Sequence, residues 1–342
     1  MLDAIRQGIS EFISWHSQSN GISREQYNEW RCTIMEKCAS RINGRDSSKR
    51  VAKLQNPVVA KYLKFLHQHL VLVPVDKAAG NVSFICKRLY ATILKDELLS
   101  ATGAYEPESQ TPDEILDFHR DYLKSIHLEG QRKLPYLYWT PKFHKVPTGK
   151  RFIAGSSNCS TTRCSKLLSD VLTQVMRTLR EKDDEHIRMT GVRRYFTVES
   201  FDEVSQFLGK WRRVNAAKRV YTGDFSTMYT MIPHDDLIRA VRIACTEAFE
   251  WNASQSRKPL NETRLCWSKS RVTWKASKRS IHSESEHSLD VDGIVDLVCF
   301  LVSNTFLVNG SMIRRQKLGI PMGTNCAPTC KPVPVRVRIW LH

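Results

Sequence analysis

Long apolar runs are missing from this chain. No stretch of eighteen consecutive apolar residues occurs in its 342 positions, which argues against a membrane-spanning helix. The N-terminal residues, Met1 to Gln7, are of mixed character and lack the apolar core of a secretory signal. A cytosolic or nuclear chain with no membrane partner is therefore expected. Ten cysteines are present, at 32, 38, 86, 159, 164, 245, 266, 299, 326 and 330, yet no Cys-x-x-Cys pair occurs. That spacing excludes the usual zinc knuckle and favours free thiols over a structural metal. Acidic residues are scarce relative to basic ones, 35 against 52. No internal repeat and no low-complexity tract is visible, and the hydrophobic content of 41% is ordinary for a globular chain.

What is there in excess is positive charge. The net value is +17 and the isoelectric point lies near 9.5. A balance of this size favours polyanionic partners, of which nucleic acid is the commonest, although a solvated basic surface has the same composition. Basic residues gather between Lys210 and Arg219 and again between Arg257 and Arg279.

Periodicity predicts an α+β chain. Residues 1–70 read as helices, with Ile5, Ile9, Phe12 and Ile13 at helical spacing and a capping-box pattern at Ser23 to Gln26. This extension could bind RNA or cap a core. Val71 to Val75 and Val82 to Cys86 read as two strands around the turn Asp76-Lys77-Ala-Ala-Gly80-Asn81. Lys87-Arg88-Leu-Tyr90 leads into a helix predicted through Leu98, and further helices are predicted from about Asp113 to Ile126, from about Ser165 to Lys182 and from Phe201 to Trp211, with 103–113 as a loop. Asp183-Asp184-Glu185 reads as a solvated turn after a helix. Val220 to Phe225 reads as a strand, and His234-Asp235-Asp236 as the cap of a helix through Phe249. That role, rather than metal binding, is the expected one for the Asp235-Asp236 pair. Residues 252–290 are polar and basic, with a candidate hairpin near Val272 to Trp274. A strongly apolar helix from Gly293 to Val302 and a hairpin around Asn309-Gly310 follow.

Three segments could carry chemistry. Asp224 stands near the end of a predicted strand, where its carboxylate and the Phe225 carbonyl could hold one Mg²⁺ of a two-ion site. An aspartate capping a turn is the plain alternative. Tyr229, five residues on, could lie under the sugar of a bound nucleotide and exclude a 2′-hydroxyl, or it could be a core tyrosine. In Gln316-Lys-Leu-Gly319-Ile-Pro321-Met322-Gly323 the glycines permit close backbone approach and the proline stiffens the turn. Lys142, His144, Lys145, Lys150 and Arg151 surround a loop before Phe152-Ile153, interleaved with aromatics. Arg151 could grip phosphate through its fork of donors, with Lys77 as a second cation. Each of these charges taken singly could equally be solvated.

Taken in order, the stretches LVPVDKAAGNVSFICKRLY, LYWTPKFHKVPTGKRFIAGSSNCST, YTGDFSTMYTMIPHDDL and LVNGSMIRRQKLGIPMGTNCAP resemble the reverse transcriptases of Penelope-like retroelements. The resemblance covers roughly residues 60–328. It implies a right-hand polymerase fold: an N-terminal helical extension over 1–70, fingers over 71–215 and a partial palm over 216–328. It implies an RNA-directed DNA polymerase that uses Mg²⁺, an RNA template, a DNA primer and deoxynucleoside triphosphates. Asp224 would be the catalytic metal ligand and Tyr229 the sugar gate, beside Phe225. Arg151 and Lys77 would face the triphosphate. Gln316, Gly319, Pro321, Met322 and Gly323 would line the template and nucleotide pocket, and Lys142, His144, Lys145 and Lys150 would contact nucleic acid. Where the family continues as a helix and then an aromatic-x-Asp-Asp hairpin, residues 329–342 instead carry two prolines and no acid. The expectation is a catalytically incomplete relative with an aberrant tail, or a nucleic-acid-binding remnant.

Overall fold

A computed structural model describes residues 23, 25, 28–29, 31–36, 57–78, 80–100, 103–191, 201–212, 231–269, 271–277 and 285–330. The chain divides into two compact units, Met1–Val71 and Leu72–His342. In the first, residues 31–36 are helical, and α1 (Pro57–His69) lies within the stretch 1–70 expected to be helical. The predicted helix over residues 5–13 lies outside the described residues.

The second unit is mixed α/β. Strand β1 (Leu70–Pro74) pairs with β2 (Val82–Cys86), and α2 (Lys87–Leu98) follows at once. Helix α3 (Pro112–Ser125) starts at a complete capping box: Glu114 N–H donates to the Thr111 hydroxyl, and Thr111 N–H donates to the Glu114 carboxylate. A five-stranded sheet has the order β3 (Tyr105–Pro107), β10 (Met312–Gln316), β9 (Phe306–Asn309), β4 (Tyr136–Lys142), β5 (Gly149–Gly155). The β4–β5 and β9–β10 pairs are antiparallel hairpins, joined by a short parallel contact at Tyr136 and Val308. The β9–β10 turn is two residues long, Gly310 having a φ of 62°, a left-handed value that favours glycine.

Three long helices form the core: α4 (Thr162–Thr190), α6 (His234–Ser256) and α7 (Val291–Ser303). The inward stripe expected on α4, from Leu167 to Leu179, is fully buried. Helix α5 (Phe201–Arg212) precedes the undescribed residues 213–230. A three-stranded sheet, β7 (Arg271–Ala276), β6 (Thr263–Ser268), β8 (His287–Leu289), packs on α4 through β6 and β7. Its tryptophans anchor it: Trp267 Nε1 donates to Asp170 at 2.7 Å and Trp274 Nε1 to the Thr178 hydroxyl at 3.1 Å.

Several expectations need correction. Asp183 does not sit in a solvated turn. It continues the buried stripe of α4 one turn past Leu179, and the helix runs on to Thr190, where Gly191 closes it with a φ of 70°. Residues 103–113 include β3, whose partner strand lies about two hundred positions later, beyond the reach of local pattern. At α6 the N-cap is Pro233 with no side-chain capping bond. Asp235 and Asp236 occupy the first turn instead, where their charge favours the helix dipole.

Candidate nucleic-acid interface

The turn between β1 and β2 docks on β4 through a hydrogen bond from Asp76 N to the Pro141 carbonyl, 3.1 Å. This carries Asp76 to β5, where its Oδ1 pairs with Arg151 Nη1 at 2.7 Å. The Asp76 side chain is only 5% exposed and that of Arg151 34%, so the pair is lodged at the protein surface with its acid inside. Asp76 Oδ2 and Arg151 Nε are buried with no hydrogen-bond partner among the described residues.

Cations surround this pair. Lys142 is held below the ordinary lysine range, first by burial and then by Arg151, Lys145 and Lys77, with Asp76 pulling the other way. Lys77, His144, Lys145 and Lys150 are exposed. The β4–β5 hairpin thus gathers Lys142, Lys145 and Arg151, and the β1–β2 turn adds Lys77. The cluster carries one internal carboxylate and an excess of positive charge, the electrostatic signature of a phosphate-binding surface.

The Gly319–Gly323 loop lies against the same strand. Ala154 N donates to the Met322 carbonyl at 2.6 Å, and the Ser156 hydroxyl donates to the Gly323 carbonyl at 2.6 Å. Gly323 has a φ of 116°, and a methyl group there would stand 2.1 Å from the Ala154 carbonyl oxygen. At the loop's other end Gly319 N donates to the Ile232 carbonyl at 2.7 Å, and His234 Nε2 meets the Gly319 carbonyl at 2.9 Å. Burial holds the His234 imidazole below the ordinary histidine range; a carbonyl can only accept, so Nε2 is the donor of that bond. Gln316 is buried, and its amide Nε2 donates to the Leu318 carbonyl. Gly319 and Pro321 are buried as well, while Met322 is half-buried and Gly323 exposed. These residues shape the loop chiefly with their main chain.

Asp224, Phe225 and Tyr229 lie outside the described residues. The chain is next described at Met231 to His234, alongside Gly319. Among the described residues no group of three His, Cys, Asp or Glu side chains could hold a metal ion. The expectation of Mg²⁺ rests on Asp224, which lies outside the described residues. Sequence reading overlooked two contributors. Asp76 stands out in the sequence only as the neighbour of Lys77, and Ser156 only as one position of a longer stretch, because their partners are distant in sequence.

No protein-family model matches the chain, and no curated protein matches it. Among solved structures it is similar to telomerase from Candida tropicalis. In complex with a TWJ fragment of telomeric RNA, the likeness has 13% identity and a TM-score of 0.49 over 99% of this chain and 47% of that one. For the apo enzyme the values are 11%, 0.46, 82% and 44%. For the apo enzyme truncated from its C-terminal domain they are 11%, 0.49, 99% and 56%. The chain spans about half the length of these structures. No described helix is long and apolar enough to cross a membrane.

Proposed function

We propose that this chain is a reverse-transcriptase-like module of Penelope-like retroelement descent. In this reading its fingers and partial palm hold an RNA template, a DNA primer and the triphosphate of an incoming nucleotide. One observation carries the reading: the cationic hairpin of Lys142, Lys145 and Arg151 shares strand β5 with the docking site of the Gly319–Gly323 loop. Two motifs more than 150 residues apart in sequence, both part of the one resemblance, meet there through the Ala154–Met322 main-chain bond and the Ser156 hydroxyl bond to Gly323. Phosphates would lie against Lys77, Lys142, Lys145 and the outer edge of Arg151. The template strand would lie against the exposed backbone at Gly323.

Asp224 would supply a carboxylate to Mg²⁺, the ion that neutralises charge in phosphoryl transfer. The resemblance assigns only that one ligand within these residues. The 342-residue chain is therefore expected to bind primer–template without extending it, and Mg²⁺-dependent nucleotide addition in a primer-extension assay would refute that part. Binding itself is tested by titrating a fluorescent RNA–DNA hybrid at several salt concentrations. Each phosphate contact contributes a slope of about 0.7–0.9 in log K against log salt. Removing three cations in Lys142→Gln/Lys145→Gln/Arg151→Gln should thus lower the slope by about 2. An unchanged slope would remove the basis for this interface.

A further inference from the structure

The basic segment between α6 and α7 has no part in the interface above. It folds into the β7–β6–β8 sheet, and between β7 and α4 it leaves an open cleft of about 450 Å³. We infer that this cleft is a second phosphodiester-binding site, which holds a single strand of RNA running along α4.

The lining is polar and bears two arginines, Arg177 from α4 and Arg271 from β7, with Thr173, Gln174 and Thr273 between them. Both arginines are exposed, and among the described residues no ion pair engages either one. Arg177 Nη1 donates to Gln174 Oε1 at 3.1 Å, a bond between two residues of the lining. The single carboxylate of the lining, Asp170, accepts the Trp267 indole N–H and is thereby turned toward the sheet. β7 is an edge strand, and one side of its backbone has no partner strand among the described residues. Arginines, hydroxyls, an amide and strand N–H groups are the donors that phosphate and ribose oxygens accept from. An added peptide strand would use the same edge, but the arginines and the overall charge favour a polyanion.

Direction supports a strand rather than an isolated phosphate. Trp267 reaches Asp170 and Trp274 reaches Thr178, so β7 runs alongside α4 with the β6–β7 turn toward the helix N-terminus. Exposed Lys269 at that turn and exposed Lys166 on α4 extend the cationic row the same way. That end of α4 follows directly from β5, the strand of Arg151. At 1.5 Å per helical residue, Arg177 lies about 22 Å along α4 from Thr162, a span that several nucleotides can bridge. In this inference a strand leaving the cationic hairpin would continue along that row into the cleft.

The inference rests on the reading that the chain binds RNA, and the experiment separates the two. The full chain and its Arg177→Gln/Arg271→Gln variant are titrated with fluorescent single-stranded RNA across a salt series, and with inorganic tripolyphosphate. Two lost phosphate contacts predict a slope shallower by about 1.4. RNA affinity should fall about tenfold at moderate salt while tripolyphosphate affinity and melting temperature hold. An RNA affinity and slope equal to those of the parent chain would overturn the inference alone. So would an equal loss for tripolyphosphate, which would mark a general effect of charge. A parent chain that binds no RNA at any salt would refute the proposed function and take this site with it.

Discussion

Gly323→Ala should separate the Gly319–Gly323 loop from β5. The added methyl would lie 2.1 Å from the Ala154 carbonyl oxygen and 3.1 Å from Ile153 Cγ2. The first is a backbone atom, which cannot swing aside. The loop cannot retreat cheaply either, because the Ala154–Met322 and Ser156–Gly323 bonds, both 2.6 Å, clamp it. The φ of 116° adds strain for any L side chain. Backbone strain of this kind costs about 1–3 kcal/mol and overpacking about 1–3 kcal/mol more. For a domain of this size each kcal/mol lowers Tm by about 2–4 °C, so a fall of about 5–20 °C is expected by differential scanning calorimetry. Gly310→Ala is the control. Its φ is 62°, but nothing lies within 4 Å of the new methyl, so only left-handed strain of about 1–2 kcal/mol applies. Equal losses of Tm in the two variants would refute the role assigned to close approach.

Other expectations follow from the same geometry. Arg151→Gln should destabilise more than Asp76→Asn, since the former strands a carboxylate only 5% exposed while the latter frees a guanidinium 34% exposed. Urea unfolding measures the order, and the reverse order would show that Asp76 is not shielded as described. His119 is fully enclosed with its Nδ1 at 2.8 Å from the Ser160 hydroxyl, and burial lowers its pKa from 6.5 to about 4. Above the unfolded value both states are neutral and no effect arises. As pH falls from about 6.5 to 4 only the unfolded chain takes up the proton, so stability should drop by about 3 kcal/mol. His119→Gln should flatten that part of the pH–stability curve, and an unaltered curve would assign the acid loss to other groups. Trp274→Phe removes the indole bond to Thr178 and should cost about 1 kcal/mol, read as greater hydrogen exchange in β7.

Much of the local architecture could be read from residue pattern, and the failures have specific causes. β2 coincides with its predicted limits and α2 ends at the predicted Leu98, because alternation, a turn of small residues and a helical run follow one another without conflict. The apolar stripe of α4 was legible for the same reason. Its last two turns were not, because charged residues there obscure a face that keeps turning inward at Asp183. The β4–β5 hairpin was also missed as a hairpin, since Pro141, Pro147 and the cluster of lysines suggest a loop.

Sequence by itself determined the motif set, the excess of positive charge and the identity of the candidate groups, all properties that reside in residue type and spacing. Asp224, Phe225 and Tyr229 stand on that ground. Tertiary structure decided which of those groups meet. It joined Asp76 to Arg151, set the Gly319–Gly323 loop on β5 and used two tryptophans to lay an arginine-lined edge strand along α4. Each of these contacts links positions far apart in the chain. The energy that selects them comes from burial and hydrogen bonding between distant segments, which no local pattern encodes.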